Sequence, residues 1–362
     1  MDRIATVILA AGRGTRMKSN LTKVLHPLLG LPMLSYPLGL SLHHLQAEKT
    51  IVVVGHQADE VEKRFRDLPI EFVRQDEPLG TGHAVLQALP RLGDFSGTIL
   101  ILSADVPLVK GETIRAFLDT FLGNDSTVAV LTAVVKDPTG YGRILRSEAG
   151  WLERIVEEKD ATEEERLIRE INAGIYCVKA SFLKEGLQEI GKENAQGEYY
   201  LTDLVEVARR RSLRCSAHMV ADPAEIMGVN TRQDLAAATE VLRQEKVKDL
   251  MLSGVTLIDP KSVYVEWNVE IGRDTTLGPH CSLLGKTRIG ERCLIESHAT
   301  LSDAEIGDDV TIRSHCVIQG GKIRGGAVVG PFAYVGPGGE VNPEETIGPF
   351  LQRSGRGQKG PL

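Results

Sequence analysis

No apolar run in this chain approaches the eighteen or so residues that a membrane span requires. The longest candidate, residues 98–102 with their flanks, has only strand length, so no membrane partner is expected. Positive charge is not in surplus. Lys and Arg total 42 against 49 Asp and Glu, a formal net charge of −7. General binding to nucleic acid or to anionic lipid needs a basic face, and this balance argues against both. Cysteines are few and odd in number, five in all, with no CxxC pair. That disfavours a disulfide framework and a thiolate zinc site and points to a reducing, cytoplasmic compartment. Met1-Asp2-Arg3 leads directly into a short apolar segment without a small-residue cleavage site, so no secretion signal is expected. What remains is ordinary soluble composition, 42% hydrophobic and 25% charged, over 362 residues, enough for about two domains.

The first 230 residues or so alternate short Val/Ile-rich runs (4–9, 50–54, 70–73, 98–102 and 127–135) with amphipathic stretches such as 33–45 and 84–92. Such alternation predicts an α/β, Rossmann-like domain with a mostly parallel sheet and helices on both faces. Ligands of such sheets bind beyond the carboxyl ends of the strands. Residues 231–252 then read as one long helical arm, with Leu235, Ala238, Leu242 and Leu250 on an apolar stripe.

After Gly254 the period becomes six. Ile271, Leu277, Leu283, Ile289, Ile295 and Leu301 follow without a break. The series resumes after one-residue slips at Ile306, Ile312 and Ile318, and again at Ile323, Val329, Val335, Val341 and Ile347. Small residues sit two places earlier, as at Thr275, Cys281, Thr287, Cys293 and Ala299, and glycine follows many of the aliphatic positions. This repeat predicts a parallel β-helix of between four and five coils, aliphatic residues stacked inward and glycines supplying turn angles that other residues resist. The expected division is 1–230, 231–252, 253–350 and a disordered polar tail at 351–362.

Chemistry concentrates in the first domain. LAAGRGTRMKS at 9–19 follows the first strand, and Lys23 stands shortly after. Residues 1–24 hold five Lys/Arg (Arg3, Arg13, Arg16, Lys18, Lys23) against one acid, Asp2. A glycine-rich loop exposes backbone N–H groups that nest an anion, and the cations neutralise phosphate oxygens. Met17 occupies the place of the third glycine in the dinucleotide fingerprint, and no GxxxxGK[ST] accompanies this loop, so neither standard nucleotide motif applies. Asp105, at the end of the apolar run 98–102, has the hard oxygen that suits Mg²⁺; as a bare residue it reads equally as a helix cap.

LAAGRGTRMKS with KVL at 23–25, Gln75 before PLGTGHA at 78–84, and ADVPL at 104–108 together resemble the sugar-1-phosphate nucleotidyltransferases. More narrowly they resemble the bacterial bifunctional N-acetylglucosamine-1-phosphate uridyltransferases / glucosamine-1-phosphate acetyltransferases. DPTGYGRI at 137–144, IVEEKDA at 155–161, EINAGI at 170–175, NAQGEYYLTD at 194–203 and GVN at 228–230 agree in order and spacing. The resemblance implies that Leu9, Ala10, Ala11, Gly12, Gly14 and Thr15 hold the nucleotide triphosphate, with Arg16 and Lys23 as the catalytic cations and Lys23 also a nucleotide contact. It implies that Gln75, Gly80 and Thr81 recognise uracil, that Asp105 and Asn230 bind Mg²⁺, and that Gly142, Glu157, Asn172 and Thr202 surround the N-acetylated sugar. His43, His44 and His83 receive no role.

The same resemblance implies a uridylyltransferase using UTP and N-acetylglucosamine 1-phosphate, a left-handed sense for the β-helix, and a homotrimer. Gly336 stands where relatives have an arginine, and no histidine follows His315, so acetyl transfer is expected to be absent. Two alternatives stay open: a nucleotidyltransferase for another sugar or base, and a catalytically silent hexapeptide-repeat scaffold.

Overall fold

The computed structural model describes residues 3–355. Among them the chain divides into two compact units, 3–26 with 32–238, and 27–31 with 239–355.

In the first unit the expected runs become one mixed, mostly parallel sheet. Along its main path the strands are Cys215–Met219, Val128–Val134, Glu170–Lys179, Thr98–Ser103, Ile4–Ala10, Lys49–Val54 and Glu71–Arg74. Ile4–Ala10 lies at the centre, parallel to Lys49–Val54 and Thr98–Ser103, with Leu9 opposite both Val53 and Ser103. Side chains alternate across it. Val7, Val53 and Ile101 enter one apolar cluster, while Ile8, Val52 and Leu102 enter another. A strand buried on both faces has to read as a continuous apolar run, as these do.

Glu170–Lys179 is antiparallel to both neighbours, and its pairing with Val128–Val134 shifts register between Asn172 and Tyr176. Its direction brings its beginning, rather than its end, to the carboxyl edge of the parallel strands. The bulge, with Gly174 at φ 72°, re-aims Asn172 there. A hairpin, Arg143–Arg146 with Leu152–Val156, extends the sheet beside it. The stretch expected as one helix at 33–45 is split into Ser35–Gly39 and a π-helical turn, Leu40–His44.

The helix Arg232–Leu252 forms as expected, with Ala238, Leu242 and Leu250 buried. In the second unit the six-residue repeat builds three parallel sheets, two of six strands and one of five. The aliphatic series is the core of the solenoid. The strands outnumber the repeats because Thr256–Leu257 and Tyr264–Val265 precede Ile271, the first at an irregular spacing, and Gln352–Arg353 follows Ile347. The one-residue slips are coils shortened from eighteen to seventeen: Leu283 pairs with Leu301, but Leu301 pairs with Ile318.

Two expectations need correction here. The glycines after the aliphatic positions do not supply turn angles. Positive φ falls two residues later, on Asp274, His280, Arg292, Asp309, Phe332 and Phe350. The glycines permit close approach of coils: a Cβ on Gly272 would meet the Gly290 backbone at 2.6 Å, and one on Gly278 would meet Ser297 N at 2.6 Å. The second correction concerns residues 351–355 of the polar tail. Gln352–Arg353 pairs in parallel with Tyr334–Val335, and the Arg353 guanidinium donates to Glu345 at 2.6 Å. Main-chain pairing and an ion pair order a segment whose composition alone reads as disordered. Residues 356–362 of the expected tail lie outside the described residues.

Along one edge of the solenoid, His280, His298, His315, Phe332 and Phe350 stack ring on ring, with centroids 4.8, 4.8, 4.9 and 5.2 Å apart. Among the described residues, no helix is long and apolar enough to cross a membrane.

Candidate active site

Two cavities open at the carboxyl edge of the first unit's sheet, of about 270 and 210 Å³. The first is lined by Leu9, Ala10, Ala11 and Gly12 where the central strand ends, by Lys23, and by Gln75, Gly80 and Thr81. The second is lined by Gly142 and Glu157 from the hairpin side, by Asn172, and by Asn230. Leu9, Thr81, Ser103 and Asp105 line both. Asp105 therefore stands at the junction of the two spaces.

The charges meet at this junction. The Lys23 ammonium donates to Asp105 Oδ2 at 2.5 Å and to Asn230 Oδ1 at 3.2 Å. The Arg16 guanidinium donates to Asn230 Oδ1 at 2.9 Å. Ser103 Oγ donates to the other Asp105 oxygen at 2.7 Å. Burial alone would raise the Asp105 carboxyl, but the charge and hydrogen bond of Lys23, aided by Ser103, hold it below the usual carboxylate range. The Val229 N–H donates to the Asp105 carbonyl at 2.8 Å, and the Asn230 N–H to Asp234 Oδ2 at 3.0 Å. The first bond pins two segments distant in sequence against each other, and the second holds Asn230 at the entry to the helix that follows. Asp105 and Asn230 thus offer one carboxylate and one amide oxygen, a hard donor set of the kind that Mg²⁺ completes with water and phosphate.

Gly14 and Thr15 line neither cavity. Gly14 takes φ 60° before the short turn Thr15–Met17, and a Cβ there would lie 2.7 Å from Lys23 Cβ. It makes room for the lysine. Arg16 lines neither cavity but reaches the junction through Asn230. Gln75 donates to the Gly80 carbonyl at 3.0 Å and lies 3.0 Å from the His83 ring. Thr81 Oγ1 accepts from the Leu201 N–H at 3.1 Å. Gly80, at φ 105°, packs so closely on Tyr199 that a Cβ would meet its carbonyl oxygen at 2.6 Å.

In the second cavity Glu157 is raised above the usual carboxylate range by burial, against the lowering effect of the Thr202 hydroxyl, which donates to it at 3.3 Å. Thr202 touches the site only through this bond. The Asn172 amide is fixed at both ends: Nδ2 donates to Tyr176 Oη at 2.6 Å, and Oδ1 accepts from the Gly174 N–H at 2.9 Å. Ser103, Tyr176 and Glu198, which lines the first cavity, were not singled out in the sequence. Only the end of a strand run marked Ser103. Tyr176 sits four residues past Asn172 and reaches it only because of the bulge.

Residues 6–173 match the family model of the MobA-like NTP transferase domain, and residues 286–320 match that of the bacterial transferase hexapeptide (six repeats). Fold and site together define a nucleotidyltransferase carrying a hexapeptide solenoid. The chain is 46% identical over 353 residues to the bifunctional protein GlmU of Pelobacter propionicus, covering 97% of this chain and 76% of that relative. GlmU proteins of Geotalea uraniireducens and Geobacter sulfurreducens are each 45% identical, covering 97% of this chain and 77% and 78% of theirs. The chain belongs to the GlmU family. The family, the fold and the enzyme class expected from the motifs are borne out. The expected absence of acetyl transfer is not supported, because the relatives are called bifunctional and hexapeptide repeats are present.

Proposed function

We propose that this chain joins UTP to N-acetylglucosamine 1-phosphate, forming UDP-N-acetylglucosamine and pyrophosphate. The observation that carries the reading is the meeting of two cavities at Asp105, with Lys23, Arg16 and Asn230 converging on that junction. A nucleotide in one space and a sugar phosphate in the other would bring their phosphates together there. An oxygen of the sugar phosphate forms a bond to the α-phosphorus of UTP, the α–β bridge breaks, and pyrophosphate leaves. The attacking oxygen is already ionised near neutral pH, so no general base is needed. Positioning and charge neutralisation carry such transfers.

Ala10 to Gly12 present backbone N–H groups to the triphosphate, and Lys23 and Arg16 absorb its charge. Gln75, held by Gly80 and His83, meets the base edge together with Gly80 and Thr81. Gly142 lets the sugar approach the backbone, Glu157 accepts from its hydroxyls, and Asn172, oriented by Tyr176, meets its N-acetyl group. Asp105 and Asn230 would hold Mg²⁺, which supplies further neutralisation of phosphate charge.

All five cysteines are free and buried, which supports the cytoplasm as the place of work. Solenoid side chains such as Leu294, Val317 and Ile258 remain exposed, which supports assembly as a homotrimer. Pyrophosphate release from UTP with N-acetylglucosamine 1-phosphate, set against the glucosamine and glucose analogues and against other nucleotides, tests the reading. Equal rates with all of them would overturn the substrate assignment. Production of N-acetylglucosamine 1-phosphate from glucosamine 1-phosphate and acetyl-CoA would test the second activity.

A further inference from the structure

The two oxygens suited to a divalent cation are already taken by the protein's own cations. Asp105 Oδ2 accepts from Lys23 at 2.5 Å, and Asn230 Oδ1 accepts from both Lys23 at 3.2 Å and Arg16 at 2.9 Å. Lys23 is 9% exposed, so water contributes little to releasing it. The main chain that carries the two donors is held by the bonds from Val229 to the Asp105 carbonyl and from the Asn230 N–H to Asp234. Bringing a doubly charged ion to Asp105 while an ammonium stands on the same oxygen sets like charges against each other in a partly desolvated site. The donor set is also incomplete. Among the described residues, no group of three or more His, Cys, Asp or Glu side chains is arranged to hold a metal. One carboxylate and one amide fall well short of the six oxygens that Mg²⁺ requires.

A triphosphate removes both obstacles. Its oxygens attract Lys23 and Arg16 away from Asp105 and Asn230, and the same polyanion supplies the missing ligands. We propose that Lys23 and Arg16 occupy the metal-donor oxygens of the ligand-free protein, so that the divalent cation enters only with or after the nucleoside triphosphate. The lysine is then a place-holder before it is a phosphate contact, and Gly14, with no Cβ to crowd the lysine stem, leaves it the space to swing. This rests on the proposed nucleotide site.

The test uses Mn²⁺ as the probe, with its free concentration read from the paramagnetic resonance signal in the absence of nucleotide. The wild-type chain should bind Mn²⁺ weakly. Lys23→Met, which keeps the stem and removes the charge, should bind it about tenfold or more tightly. Lys23→Met combined with Asp105→Asn should return to the wild-type level. Arg16 is exposed, so Arg16→Met tests the same effect without disturbing a buried position, and should also tighten Mn²⁺ binding by a smaller factor. If natively folded Lys23→Met and Arg16→Met both bind Mn²⁺ no better than wild type, the place-holder role is wrong. A gain that persists in the double variant would also overturn it, since the ion would not be at Asp105. Calorimetric titration of wild type with UTP, in chelator and then in Mn²⁺, separates the two claims. No UTP heat in either condition sinks the nucleotide site itself, whatever the Mn²⁺ result. UTP binding together with tight nucleotide-independent Mn²⁺ binding by wild type sinks only the order of entry.

Discussion

Lys23 and Asp105 lie 82 positions apart and share a salt bridge at a cavity junction. If they neutralise and gather phosphates, Lys23→Ala or Asp105→Ala should lower the rate of pyrophosphate release by about 10²–10³. Circular dichroism should remain native; wild-type rates in both variants would remove the assignment. A second residue-scale expectation concerns Asp203. Burial first, then Glu206, Glu157 and Asp160, push its carboxyl up to about 6, whereas an unfolded aspartate titrates near about 4. The folded chain therefore holds this proton more tightly than the unfolded one. Its contribution to stability is full below about 4 and is lost as pH rises towards 6. Asp203→Asn should flatten that part of the curve, measured as urea midpoints at several pH values; an unchanged slope would contradict it. The cations and acids of the candidate site were picked out by the motifs that carry the family resemblance. Tyr176 and Asp203 were not, because their roles come from neighbours that the fold brings near: a bulge for Tyr176, a converging group of acids for Asp203.

Among elements, the parallel strand runs and the six-residue period could be read directly, because burial on both faces and inward stacking each leave a regular apolar pattern; the order of the strands, with the antiparallel Glu170–Lys179 lying between Thr98–Ser103 and Val128–Val134, could not. Turn geometry could not. The glycines directly after the aliphatic positions were read for their dihedral freedom, yet they serve coil-to-coil proximity, while the left-handed corners fall mostly on non-glycine residues and, at Gly285, Gly320, Gly326 and Gly338, on other glycines. Gly290→Ala should accordingly lower the solenoid's unfolding midpoint, since its Cβ would meet the Gly307 backbone at 2.7 Å. Ile295→Ala, at a fully buried inward position, should cost about 2–5 kcal/mol in denaturant titration. Gly14→Ala combines an unfavourable φ of 60° with a collision against Lys23. It should reduce turnover by about tenfold or more while leaving the solenoid's unfolding midpoint unchanged. A variant as active as wild type would mean that the lysine does not need that space.

For the molecule as a whole, the proposal of three associated copies predicts a single species of about three times the 39.4 kDa chain mass in sedimentation velocity; a monomer at micromolar concentration would refute it. The family is named for two functions, and the sequence motifs speak most clearly for the first, because phosphate chemistry here condenses into a few charged residues near one sheet edge. The solenoid's period reports architecture far more than chemistry. Its file of five rings nevertheless has a practical use. Each rung belongs to a different coil, so an indole introduced by His298→Trp would be sandwiched between the rings of His280 and His315. Its emission should then track the parting of adjacent coils, and the same replacement at Phe350 would mark the opposite terminus, telling from which end the spiral begins to unzip.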